Sequence, residues 1–218
     1  MSDDSRIEER GAAGSLPPTD EEISPQARAA ILRLVAEIDR LRAEITANNR
    51  RIAHLEEVAD RDPLTPTVNR RAFVRELERT KAYVDRYKAP AAVIYFDIDE
   101  MKTINDRYGH AVGDEVLVTV ARTLMGNVRS SDIVGRLGGD EFGIILSHAE
   151  RTAAEEKAAT LAKLIADIRV GPDGGTIHVS ATWGVETLVG VSDAAAALDA
   201  ADRAMYARKR KDDRTKPS

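Results

Sequence analysis

The sequence predicts an α+β domain, a mainly antiparallel sheet flanked by helices, carried behind an N-terminal coiled-coil helix. Three observations predict it. A narrow heptad of Ile and Leu runs from Ile31 to Leu55. Beyond it, short apolar β-forming runs alternate with longer stretches of helical period. Two of those runs, Asp132–Leu137 and Phe142–Leu146, are separated only by Gly138-Gly139-Asp140-Glu141, the spacing of a hairpin.

Along the chain, residues 1–25 are rich in Ser, Gly, Pro, Asp and Glu without an apolar period and read as a disordered tail. Residues 26–61 read as a dimerising helix. Ile31, Ile38, Ile45 and Ile52 fall at a positions, and Leu34, Leu41, Asn48 and Leu55 at d positions. Ile at a with Leu at d favours two parallel strands, and one buried Asn fixes register. About 30 such residues make a rod of about 45 Å. The alternative is an amphipathic helix packed on its own domain. The stripe is narrow and flanked by Glu37, Arg40, Arg42, Glu44 and Arg51, which suits a coiled-coil seam better.

Asp62-Pro63 ends the rod, and residues 62–210 form the expected domain. Helices are expected at Asn69–Lys88, Asp114–Val128, Ala153–Val170 and Asp193–Arg210. Strands are expected at Ala91–Phe96, at the two hairpin arms, and at Thr176–Val185 after the turn Gly171-Pro172-Asp173-Gly174-Gly175. Residues 211–218 read as a flexible tail.

Composition narrows the function. With 218 residues, 32% charged and 43% hydrophobic, the chain holds one ordinary domain plus an extension. A net charge of −5 offers no general attraction to a nucleic-acid polymer, though a local nucleotide site remains open. The absence of cysteine removes disulfides, thiolate zinc sites and a cysteine nucleophile. The acidic start without an apolar h-region, and an apolar run no longer than Ala89–Phe96, predict a cytoplasmic protein without membrane insertion.

Carboxylates stand at two strand ends: Asp97 and Asp99 after the first strand, Asp140 and Glu141 at the hairpin tip. Hard cations prefer oxygen ligands, and clustered carboxylates beside a sheet suit metal-assisted phosphoryl transfer. Either cluster alone could be a solvated loop start or an ordinary glycine turn.

The two are joined by further residues. Phe96–Leu117 (FDIDEMKTINDRYGHAVGDEVL) and Arg136–Phe142 (RLGGDEF) closely resemble the GGDEF family of diguanylate cyclases. Asp62–Phe73 (DPLTPTVNRRAF) resembles that domain's entry segment, and Ala201–Lys209 (ADRAMYARK) its last helix. The resemblance implies a palm-like, nucleotidyl cyclase-like fold. It implies a homodimer in which two bound GTP molecules condense to cyclic di-GMP and two pyrophosphates. It implies that Asp97, the Ile98 carbonyl, Asp140 and Glu141 hold magnesium, with manganese as the alternative ion. Asp140 is then a candidate base for the 3′-hydroxyl. Gly138 and Gly139 let the backbone approach the nucleotide, Asn105 and Asp114 read guanine, and Lys102 and Lys209 contact the triphosphate. His110 belongs by resemblance to a structural Gly-His turn. Trp183 and Thr182 are expected in core or edge packing.

Arg129 and Asp132, just ahead of the hairpin, resemble the family's allosteric product site, where cyclic di-GMP inhibits. The helix that often supplies a further arginine there offers Lys163. Pro66-Thr67 stands where the family has Gly-Leu, so the entry angle can differ. Met101 replaces a usual Phe, and Asp213 stands where an arginine helps hold phosphate. Other readings are a weak or inactive cyclic di-GMP receptor, a coiled-coil scaffold, and a cyclase for another nucleotide pair.

Overall fold

The computed structural model describes residues 24–170 and 177–215, the side chains of 52–58 and 212–215 aside. The expected tail before residue 24, the turn at 171–175, the side chains of Asp212 and Asp213, and residues 216–218 lie outside the described residues. The chain divides into two compact units between Leu55 and Glu56.

The first unit holds most of helix α1 (Pro25–Asp60). Ser24 accepts from the Ala27 amide at 3.2 Å and opens the helix as an N-cap. Its a and d residues Ile31, Leu34, Ile38, Leu41 and Ile45 are all exposed in the single chain, between 43% and 63%.

In the second unit the elements run β1 (Val68–Asn69), α2 (Arg70–Tyr87), β2 (Ala91–Ile98), α3 (Met101–Tyr108), α4 (His110–Gly126), β3 (Ile133–Arg136), β4 (Glu141–Ser147), α5 (Arg151–Ala166), β5 (Ala181–Thr187) and α6 (Ala194–Thr215). The five strands form one sheet in the order β1-β3-β4-β2-β5. All pairs are antiparallel except β1 with β3.

Strand β2 explains the layering. It lies between β4 and β5 and is apolar on both faces, as a doubly covered strand must be. Ala92, Ile94, Phe96 and Ile98 join a core with Val116, Val120 and Leu124 of α4 and Leu161 and Ile165 of α5. Ala91, Val93 and Tyr95 point the other way, into a core with Phe73 and Leu77 of α2 and Ala197, Ala201 and Met205 of α6. The period of two therefore directs Asp97 toward the α2–α6 side.

Helix α2 matches its sequence signals. Asn69 caps it by accepting the Ala72 amide at 3.0 Å, and Lys88 ends it at φ 56° ahead of Pro90. Elsewhere the boundaries differ from expectation. Helix α3 and strand β1 carry too few residues for a periodic signal; α3 buries only Met101 and Ile104. Helix α4 begins at His110 rather than Asp114 because Gly109, at φ 85°, turns the chain directly into it. Helix α5 stops at Ala166, and β5 starts at Ala181 rather than Thr176. Ile177 meets Val170 in an isolated bridge instead of extending the sheet. Helix α6 continues past Arg210 to Thr215.

Candidate active site

The acidic edge follows from strand register. Asp97 near the end of β2 sits opposite Glu141 at the start of β4 on one side and Thr182 of β5 on the other. The Ile98 amide donates to the Asp140 carbonyl at 3.0 Å and pins the hairpin tip to the end of β2. Asp99 is fastened to the neighbouring chain: its amide donates to the Ser180 carbonyl at 2.9 Å. Its carboxylate accepts from Ser180 Oγ at 2.8 Å and Thr182 Oγ1 at 2.9 Å.

Helix α6 adds a cation. A Cβ on Gly184 would collide with the backbone of Ala201 and Met205, so the missing side chain lets α6 lie directly on β5. One turn beyond Met205, Lys209 donates to Asp97 Oδ1 and stands 3.8 Å from Asp99 Oδ1. Burial raises the Asp97 carboxyl above its usual range. Lys209 pulls it back, while Asp140 and Asp99 repel its charge, and the net shift is upward. Burial would lower the Lys209 ammonium, but contact with Asp97 outweighs it and the net shift is also upward.

Glu141 turns back over Gly138, where a Cβ would strike its carboxylate; nothing lies within 4 Å of a Cβ on Gly139. Neither glycine has positive φ, so the tip is not held by glycine-only backbone angles. Tyr95, unremarked in the sequence, is buried, and both burial and the adjacent Glu141 oppose ionisation of its phenol. Among the described residues no three acidic or histidine side chains converge into a ready metal cage. The donor set nonetheless fits magnesium, which takes one or two carboxylates and completes its shell with water and phosphate.

Beside this edge a cleft of about 510 Å³ opens between α3, α4 and the hairpin. Lys102, Asn105, Asp114, Gly139 and Asp140 line it together. Asn105 lies against Gly113, where any Cβ would collide with its side-chain oxygen, and so sits next to Asp114 across the helix junction. His110 lines the same cleft as the first residue of α4, in keeping with a turn. Lys209 is gathered at the carboxylates, not in the cleft wall.

Arg136 also lines the cleft. It donates through Nε and a terminal nitrogen to the Gly139 carbonyl, at 3.2 and 2.6 Å, and pairs at 3.3 Å with Asp62. Its only sequence signal is its place ahead of the hairpin glycines.

Arg129 and Asp132 lie at the opposite end of β3, on a pocket of about 400 Å³. Asp132 closes their turn, accepting from the Arg129 amide at 2.9 Å and the Ser147 amide at 3.1 Å. Each oxygen keeps a further lone pair. Lys163 is not in the pocket wall; Arg61 is. Thr182 and Trp183 stand on the edge strand β5; Trp183 is nearly buried, with the Arg208 guanidinium 3.6 Å above its ring. In the entry segment, Thr67 is buried, its carbonyl accepts the Asp62 amide at 3.0 Å, and its hydroxyl meets that of Thr65 at 2.8 Å.

Residues 59–215 match the family model described as "Diguanylate cyclase, GGDEF domain". The chain is 38% identical over 180 residues to diguanylate cyclase TpbB of Pseudomonas aeruginosa, covering 81% of this chain and 40% of TpbB. It thus spans about two fifths of that relative. Diguanylate cyclase SiaD of Pseudomonas aeruginosa, solved with its activator SiaC, superposes with a TM-score of 0.72 at 27% identity, over 85% of this chain and 72% of SiaD. The coiled coil and GGDEF domain of DgcB from Caulobacter crescentus, solved with c-di-GMP, gives a TM-score of 0.72 over 82% of this chain and 95% of that one. At 23% identity, the DgcB likeness speaks for the fold.

Proposed function

Since the chain belongs to the GGDEF-domain diguanylate cyclase family, we propose that it condenses two GTP molecules into cyclic di-GMP, releasing two pyrophosphates. One observation carries the reading: a single cleft holds Lys102, Asn105 and Asp114 beside Asp140 of the acidic edge.

Asp114 accepts from guanine N1–H and the exocyclic amine, and Asn105 adds a polar contact. Adenine has an acceptor at N1, so the same carboxylate opposes ATP. Lys102 and Lys209 are the phosphate cations. Asp97, the Ile98 carbonyl, Asp140 and Glu141 would hold magnesium, or manganese, which supplies charge neutralisation at the phosphates. Asp140 would take the 3′-hydroxyl proton. Arg136, by holding the Gly139 carbonyl, positions the hairpin.

Each domain carries one GTP, so the reaction needs two chains. The exposed Ile and Leu of α1 are the surface that would pair them. The pocket at Arg129 and Asp132 supports a second reading in which cyclic di-GMP binds there, either as a feedback inhibitor or as the ligand of a receptor that makes none.

Incubation of purified protein with GTP and magnesium, followed by mass spectrometry, tests this. Cyclic di-GMP from the natural protein and none from Asp140→Ala/Glu141→Ala is the expected result. No product, with cyclic di-GMP binding abolished by Arg129→Ala, would replace the cyclase with the receptor.

A further inference from the structure

The contact between Lys209 and the carboxylates of Asp97 and Asp99, at the end of β2, is built from three sides. Gly184 seats α6 against β5, and Arg208 lies 3.6 Å over the Trp183 ring, fixing the turn that carries Lys209. Ser180 and Thr182 hold Asp99 in place. The Lys209 ammonium, on a side chain 35% exposed, is thereby presented to Asp97 and Asp99, whose side chains are 17% and 20% exposed.

We propose that Lys209 is a placeholder cation: it occupies the Asp97–Asp99 pair while no divalent ion is bound, and moves to the phosphates of an incoming nucleotide when the ion takes its place. This rests on the nucleotide site proposed above. A divalent ion arriving alone must break a hydrogen-bonded ion pair and leave a half-buried ammonium without a partner. An ion arriving with a triphosphate brings the acceptor that the ammonium needs. Metal and nucleotide therefore bind as a coupled pair, and the coupling is reciprocal.

The test is Mn²⁺ binding to the nucleotide-free full chain, read from the electron paramagnetic resonance of free Mn²⁺. Natural protein, Lys209→Met and Lys209→Arg are compared, with circular dichroism showing that each is folded. Lys209→Met should bind bare Mn²⁺ up to about fivefold more tightly than the natural protein. Lys209→Arg should remain near the natural protein, because it keeps the cation. Adding a non-hydrolysable GTP analogue should tighten Mn²⁺ more in the natural protein than in Lys209→Met. Equal or weaker bare Mn²⁺ binding by Lys209→Met overturns the placeholder, and leaves the nucleotide site standing if the analogue still binds. A natural protein that binds no analogue with Mn²⁺ removes the nucleotide site, while the bare-ion comparison still decides the role of Lys209.

Discussion

One oxygen of Asp62 accepts from the Thr65 amide and hydroxyl, both at 2.8 Å, and from the Leu64 amide at 3.2 Å, and also faces Arg136. Burial alone would raise this carboxyl, but the Thr65 donors and Arg136 outweigh it and hold it below its usual range. The stabilisation is therefore complete above the unfolded value of about 3.9 and is lost as pH falls through the lower folded value. Asp62→Asn should cost about 1–3 kcal/mol at neutral pH. Urea melts at pH 7 and pH 3 should show the gap between the two proteins narrowing in acid; a gap that stays constant would count against this role. The acids, Asn105 and Asp114 were legible because they stand in short, ordered blocks of sequence. Arg136 and Asp62 open two of those blocks, but their pairing across 74 positions was not legible. No spacing in the sequence ties a charge at the end of the rod to one at the end of a strand; only the fold brings them together.

At the scale of elements, the α6–β5 contact has the least room for change. Gly184→Ala would drive a methyl into the backbone of Ala201 and Met205, and neither can move aside. A loss of about 3 kcal/mol is expected, with a fall in thermal midpoint of roughly 10 °C. Calorimetry showing an unchanged midpoint would mean that α6 sits elsewhere. Long periodic elements such as α2 and β2 were readable, including the Asn69 cap. Helix α3 and the true start of β5 were not. Two buried residues make no period, and Ile177 and Val179 keep a strand's alternation although only Ile177 finds a bridge partner.

At the scale of the whole molecule, the heptad was the plainest feature of the sequence, and its apolar positions are uncovered in a single chain. What covers them is a tertiary question that periodicity alone leaves open between a second copy and the chain's own domain. A second copy is the proposal. Leu41→Pro, which breaks a helix interior at a cost of about 3 kcal/mol, should yield a monomer by sedimentation and abolish cyclic di-GMP synthesis at low protein concentration. A monomer as active as the natural protein would exclude the paired mechanism.

If the uncovered stripe pairs two copies as proposed, gene dosage becomes a control. Below the dissociation constant of the pair, paired chains increase with the square of total chain. Doubling expression would then quadruple output, and halving it would cut output to a quarter. A cell could therefore tune the messenger steeply by making or degrading slightly more of one polypeptide.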